Sequence, residues 1–243
     1  MARVLADYHG FDYQKNFWQG QGREYEHYAD RLAVHRLIPQ SGARIVDICG
    51  GFGRLLPEYF GKYTEVHLFD YAQNLLDQAK ATYGDKVITT QGSVYALPYE
   101  TSSFDACVMV RASHHLEELP IAIAEIARIM KPGARFVVEI ANKRNVLEII
   151  RYALGRSTMR PFDLAPTSRN DKGFYNFHPA YVEALFKKQG LHIKAVLFVS
   201  FLRLPILKKI LGWRVLAAIE WCIQWPLGFL KISPSLYYSL EKQ

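Results

Sequence analysis

Two hydrophobic rhythms alternate along this chain. Short runs rich in β-branched residues, at 44–48, 65–70, 87–90, 104–110 and 134–140, read as strands. Between them lie segments with helical spacing. These cover 55–60, 72–83 stopping at Gly84, and a stretch that opens at Pro120 and closes at Pro132-Gly133. A helix over 12–38, ending before Pro39, precedes the first strand. Beyond the fifth strand, His178-Pro179 opens a helix closed by Gly190, a strand follows over 192–200, and the alternation of 234–240 predicts a last strand. Strands alternating with helices of this length predict an α/β fold, a mostly parallel seven-stranded sheet with helices on both faces. Strands apolar on both sides suit burial in such a sheet.

The spacing leaves two inserts. Residues 142–177 follow the fifth strand, and 202–232, rich in Leu, Ile, Trp and Phe, separate the sixth strand from the last. Both leave from the carboxyl ends of strands, where open α/β sheets bind ligands, so both are expected to roof the cleft with helical apolar surface. One domain with inserts is the economical organisation: an N-terminal helical segment over 1–40, a core over 41–141, the insert 142–177, helix and strand over 178–201, the insert 202–232, and the last strand over 233–243.

Composition supports a folded enzyme-sized domain. Half of the 243 residues are hydrophobic and 22% are charged, which excludes global disorder. The net charge of +7 is spread out and favours anionic contacts only weakly. Cys49, Cys107 and Cys222 lie far apart with no CxxC, which reads as a reducing, cytoplasmic setting. No run of 18 apolar residues suggests a membrane span, and contact with a membrane surface stays open.

Candidate chemistry concentrates where the first strand ends. Asp47-Ile48-Cys49-Gly50-Gly51-Phe52-Gly53 is a glycine-rich strand-to-helix turn, which lets a backbone approach a ligand closely. Leu56 stands where a dinucleotide fingerprint needs its third glycine, and no Lys-Ser or Lys-Thr follows, so the turn lacks a pyrophosphate cradle. Asp70 ends the second strand, where a carboxylate accepts both hydroxyls of a ribose. Gly92-Ser93-Val94 can offer a hydroxyl and an N–H to a base edge, and Tyr71 can cover the base.

Taken together, Val46-Asp47-x-x-Gly50-Gly51-x-Gly53, Asp70, Gly92-Ser93-x-x-x-Leu97-Pro98, Ser103-Phe104-Asp105 and Met130-Lys131-Pro132-Gly133 resemble the class I S-adenosylmethionine-dependent methyltransferases. The similarity runs over about 44–140 and is greatest to the quinone and small-molecule branch. It implies a Rossmann-like fold, S-adenosylmethionine as cofactor, Asp47 and Gly50 to Gly53 facing its methionine part, Asp70 its ribose, and Ser93 and Val94 its adenine. Cys49 stands where the family usually has Gly, and Ser93 where it commonly has Asp.

Methyl transfer from a sulfonium depends on placement, so no catalytic triad is required. The candidate bases are His114 and His115, after the fourth strand; the alternative is that one caps a helix or packs on the cofactor. Arg111 either binds an acidic acceptor or lends its backbone to the cofactor's amino group, and the second is preferred. Phe17, Trp18, Arg23 and Tyr25 either fold over the cofactor or pack on the sheet. His178 reads as a helix cap, and the other histidines lack metal-ligand spacing. The insert 202–232 lines an apolar acceptor pocket, lies on a membrane, or forms a homodimer contact. The expected reaction is methyl transfer to O, N or C of a small, largely apolar acceptor that is lipid-, quinone- or secondary-metabolite-like. The alternatives are a non-catalytic nucleoside-binding module and an RNA-modifying methyltransferase, although no nucleic-acid partner is expected from aromatics so poorly interleaved with bases.

Overall fold

A computed structural model describes residues 14–18, 20–168 and 174–243. Seven strands form one sheet: β1 (Gly42–Ile48), β2 (Tyr63–Asp70), β3 (Ile88–Gln91), β4 (Phe104–Met109), β5 (Met130–Ala141), β6 (Leu191–Val199) and β7 (Ser235–Lys242). Their order is β3-β2-β1-β4-β5-β7-β6. β1 to β5 pair in parallel, and β7 runs antiparallel between β5 and β6. The order reverses beside β1, which places a crevice at the carboxyl ends of β1 and β4.

Among the described residues six α-helices accompany the sheet: α1 (Glu24–Leu37), α2 (Gln73–Tyr83), α3 (Leu119–Ile129), α4 (Val146–Ala153), α5 (Pro179–Lys188) and α6 (Pro205–Ile223), the last broken into two pieces by a kink at Gly212, φ 71°. Alternate residues of each strand enter opposite cores. In β5, Phe136, Val138 and Ile140 pack with Ile123 and Ile126 of α3 and Phe186 of α5. Val137 faces the other way, into a core shared with Ala33 and Val34 of α1 and Leu76 of α2. This is the doubly covered arrangement expected from the apolar strands.

Three local expectations give way to sequence details. The single helix expected over 12–38 breaks into a π-helical turn, Gln14–Trp18, and α1, with residues 12, 13 and 19 outside the described residues. Gly20 and Gly22 lie between the two pieces at φ of 68° and 64°, and helix cannot continue through left-handed backbone. The segment 55–60 forms turns around a short 3₁₀ piece, Leu56–Glu58, because Pro57 lacks an N–H and disfavours α geometry at Leu56. The insert 202–232 does not roof the cleft as broadly as expected. Of its residues only Arg203 borders one of the cavities described below. Its helix α6 docks on α1 by a narrow polar stripe: Tyr25 Oη donates to Glu220 at 2.5 Å, and Gln224 Nε2 donates to the Ala29 carbonyl at 3.0 Å. Glu220 also accepts from the Ser200 N–H at the end of β6, at 2.8 Å. His178 caps α5 as expected, accepting from the Ala180 N–H at 3.2 Å. Among the described residues no helix is long and apolar enough to cross a membrane.

One buried carboxylate ties these layers together. Asp30 of α1 is fully buried and accepts from Arg111 Nε at 3.0 Å and Nη2 at 2.9 Å, Arg54 Nη2 at 2.9 Å and Tyr237 Oη at 2.7 Å. Burial pushes its carboxyl up, but Arg111 and Arg54 outweigh that, and it is held below the usual carboxylate range. Its contribution is therefore present above the ordinary carboxylate value near 4 and lost as pH falls through the depressed one. Asp30→Ala strands two buried guanidinium groups and should cost about 3–5 kcal/mol in urea denaturation at neutral pH.

Candidate active site

The turn after β1 is shaped by steric necessity. A Cβ on Gly50 would lie 2.5 Å from Leu68 Cδ1 and 2.8 Å from Asp47 Cγ, so only glycine lets the turn close over the end of β2. The Gly50 N–H donates to the Phe69 carbonyl at 3.2 Å, and the Gly51 N–H to Asp70 Oδ2 at 2.8 Å. Asp70 Oδ1 accepts from the Ala72 N–H at 3.0 Å. Thus Asp70 fastens the turn to the start of α2.

A cavity of about 370 Å³ opens here, within the range of small-ligand sites. Asp47, Cys49, Gly50, Gly51, Asp70, Tyr71, Ser93, Val94, Arg111 and His115 all line it. Gly53 does not; at φ 77° it shapes the turn from behind, where an added Cβ would strike Leu56 at 2.5 Å. Trp18 closes one side and stacks under the Arg54 guanidinium, 3.8 Å from ring centroid to Cζ. Of the aromatic stretch before the sheet, Tyr25 is instead buried against Glu220, and Phe17 carries the Arg23 guanidinium at 3.7 Å.

The charges on the walls are compensated. Arg54 and Arg111 both spend their guanidinium groups on Asp30, and Arg111 Nη2 also reaches Ser200 Oγ at 3.2 Å. The reading of Arg111 as a side-chain ligand for an acidic acceptor is therefore not met by the geometry. Asp47 accepts from Tyr59 Oη at 3.1 Å; burial, against the pull of Tyr59 and Arg54, pushes its carboxyl up to about 7. Two carboxylates and no free lysine make the site a poor one for phosphate. Glycine backbone, a strand-end acid and an apolar floor suit a nucleoside with a cationic amino-acid tail.

A second cavity of about 250 Å³ adjoins the first across Arg111. Its walls include His114, Glu139, Met159, Phe174 and Tyr175, so the insert 142–177 contributes as expected. His114 stacks on Phe174 with ring centroids 5.7 Å apart, and the two neighbouring imidazoles lie 4.0 Å apart. Burial pushes His115 down to about 4 and His114 well below its usual value, so both rings are neutral at pH 7. Glu139, near the end of strand β5 before the insert, is buried. The Ser235 hydroxyl and the Arg111 backbone support its carboxyl, whose Oε2 has no hydrogen-bond partner. Burial pushes this carboxyl up.

Asp30, Arg54, Tyr59 and Glu139 escaped the sequence reading. The visible signals were an acid among Ala29, Ala33 and Val34 on the inward face of α1, and a lone acid inside the apolar run of β5.

The description "methyltransferase domain" matches residues 46–138. The chain is 31% identical over 116 residues to a 2-phytyl-1,4-naphtoquinone methyltransferase of Synechococcus elongatus, a match over 44% of this chain and 50% of that protein. It is 32% identical over 127 residues to a demethylmenaquinone methyltransferase of Lactococcus lactis, covering 49% and 50%. The chain thus spans about half the length of the curated relatives it matches. A solved S-adenosylmethionine-dependent methyltransferase from Thermotoga maritima superposes with a TM-score of 0.65 at 18% identity, over 91% of this chain and 92% of that one, and shares the fold.

Residues 46–138 thus carry a methyltransferase domain, and the chain has the fold of solved S-adenosylmethionine-dependent methyltransferases.

S-adenosylmethionine is the cofactor of this family, and the turn, the strand-end acid and the cavity fit it. Two departures from the methyltransferase pattern have local consequences. Cys49 replaces the usual glycine and sits at φ 57°, left-handed backbone that costs a side chain roughly 1 kcal/mol. Its thiol packs on the core and stays protonated, burial pushing it well above its ordinary value. Ser93, in place of the common Asp, accepts from the Tyr95 N–H at 3.3 Å and carries no charge at the cavity wall.

The raised Asp47 value has a testable sign. The folded state holds the Asp47 proton more tightly than the unfolded chain, so its stabilising effect is full below about pH 4 and lost as pH rises through about 7. Asp47→Asn keeps the Tyr59 hydrogen bond and removes the buried charge. In thermal and urea unfolding of ligand-free protein, it should come closest to the parent near pH 4, and its advantage should grow by about 1–3 kcal/mol between pH 5 and pH 8.

Proposed function

We propose that this chain transfers the methyl group of S-adenosylmethionine to a small, largely apolar acceptor bearing a hydroxyl, of quinol or secondary-metabolite type. The observation that carries the reading is Asp70: one carboxylate fastens the glycine turn and lines the cavity from the end of β2, the strand-end position that holds a ribose in dinucleotide folds. In this reading Asp70 accepts the ribose hydroxyls, Ser93 and Val94 meet the adenine, and Tyr71 covers it. The turn from Cys49 to Gly51 lies along the methionine part, with Asp47 at its ammonium and Trp18 shielding the site from water. When bound, the cofactor supplies a methyl group already activated on a sulfonium.

The chain's own residues then position and deprotonate the acceptor. Holding two reactants in line is worth about 7–11 kcal/mol where geometry is good. The second cavity offers the acceptor aromatic walls, Phe174 and Tyr175, and one carboxyl oxygen, Glu139 Oε2, free to accept a hydroxyl proton. His115, neutral and on the wall of the first cavity, orients the acceptor, while His114 stacks at the junction. Support for a quinone-like acceptor comes from relatives named as quinone methyltransferases.

Isothermal titration with S-adenosylmethionine should give a saturable signal, and silence at high micromolar ligand would end this reading. Asp70→Ala loses two charge-assisted hydrogen bonds, each about 1.5–3 kcal/mol, and should weaken binding at least about 100-fold. Glu139→Gln keeps the shape of the acceptor cavity and removes its basicity. It should leave cofactor affinity intact while lowering kcat on 1,4-naphthohydroquinone by roughly 10²-fold or more; an unchanged kcat would remove Glu139 from the chemistry.

A further inference from the structure

Among the described residues, exposed large apolar side chains concentrate in one stretch, 206–230. Ile210 is 69% exposed, Trp221 56%, Trp225 54% and Phe229 76%. Only a stripe made by Leu216, Ala217, Glu220, Gln224 and Gly228 is buried, against α1 and β6. The remaining surface of α6 and the turn after it is apolar and aromatic. Monomeric soluble domains rarely leave so contiguous a patch uncovered.

The charges on this stretch have one sign. Its single acid, Glu220, is buried in the hydrogen bond from Tyr25, so none faces outward. Lys208 is neutralised by Glu26 at 2.6 Å, and Lys231 by Glu183 at 2.6 Å. Lys209 and Arg214 remain exposed among the apolar side chains, Arg214 lying 5.5 Å over the Trp213 ring. Exposed Trp, aliphatic residues and bases without acids form the composition of a helix that lies in a membrane interface. A second copy of this chain is the poorer occupant. A two-fold contact would bury Lys209 and Arg214 of both copies in one patch, with no outward-facing acid in the stretch to neutralise them.

We infer that the outer face of α6 and the turn following it dock on an anionic lipid bilayer, with Trp225 and Phe229 in the interfacial layer and Lys209 and Arg214 at the headgroups. The first insert meets the same stretch: the Val146 N–H donates to the Ile232 carbonyl at 3.0 Å, and Asn142 Nδ2 to the Lys231 and Ser233 carbonyls at 2.9 and 2.8 Å. Arg203, just ahead of α6, borders the second cavity. Docking by this face would bring that cavity close to a surface that holds apolar acceptors.

The test is sedimentation with vesicles of equimolar phosphatidylcholine and phosphatidylglycerol, without cofactor, so that its outcome is independent of the methyl-transfer reading. The full chain should pellet with these vesicles, show a blue shift in Trp emission, and stay in the supernatant with phosphatidylcholine alone. Lys209→Glu with Arg214→Glu should weaken partitioning by roughly tenfold or more, at about 1 kcal/mol per base. Ile210→Ser, Trp225→Ser and Phe229→Ser together should abolish it with an unchanged melting curve, since all three side chains are exposed. A wild-type chain that stays in the supernatant with anionic vesicles overturns the inference, as does equal binding to both vesicle types. It is likewise overturned if light scattering shows a homodimer that the triple variant converts to monomer while vesicle binding is absent.

Discussion

The structure turns on one carboxylate that cannot reach water. Asp30 collects two guanidinium groups and a phenol, and each arrives from a different part of the chain: Arg54 from the segment after the glycine turn, Arg111 from the end of β4, Tyr237 from β7. A buried charge demands complete pairing, because the desolvation it suffers is recovered only through well-formed hydrogen bonds. Satisfying Asp30 therefore fixes α1 over the carboxyl edge of the sheet and holds both arginines at the rim of the cavity with their charge already spent. Trp18 and His27 depend on the same arrangement through Arg54, which stacks on one and lies 3.0 Å from Nδ1 of the other.

That compensation explains the electrostatic character of the pocket. With the arginines neutralised and burial keeping both imidazoles uncharged, Asp70, joined by Asp47 when that carboxyl is ionised, sets the sign of the first cavity. A cationic ligand is welcome there, and a phosphate is not. In the second cavity the same low dielectric raises Glu139 and leaves Oε2 without a partner, a costly situation for a structural residue and a useful one for a residue that receives a proton. The two cavities meet at Arg111, whose left-handed backbone at φ 59° turns the chain from one into the other.

The two inserts divide the remaining work. Residues 142–177 supply walls to the second cavity, through Met159, Phe174 and Tyr175. Residues 202–232 are held to α1 by a stripe one or two side chains wide and present most of their apolar surface outward. The same composition, rich in Leu, Ile and Trp, thus points away from the pocket, because the polar stripe of Glu220 and Gln224 decides which side of α6 faces the protein.

The sequence by itself determined the layered α/β fold, the seven strands, the glycine turn and the strand-end acid. These are local properties: short β-branched apolar runs, glycines where a Cβ would clash, and a carboxylate at a strand terminus all act within a few residues. It misjudged 12–38 and 55–60, where Gly20, Gly22 and Pro57 overrode helical periodicity, and it could not place Asp30, Glu139 or the outward face of α6. Those depend on pairings between residues as far apart as Asp30 and Tyr237 or Tyr25 and Glu220. Only the tertiary structure decides them, because whether an acid is solvated, paired or left waiting in a cavity follows from what the folded chain brings against it.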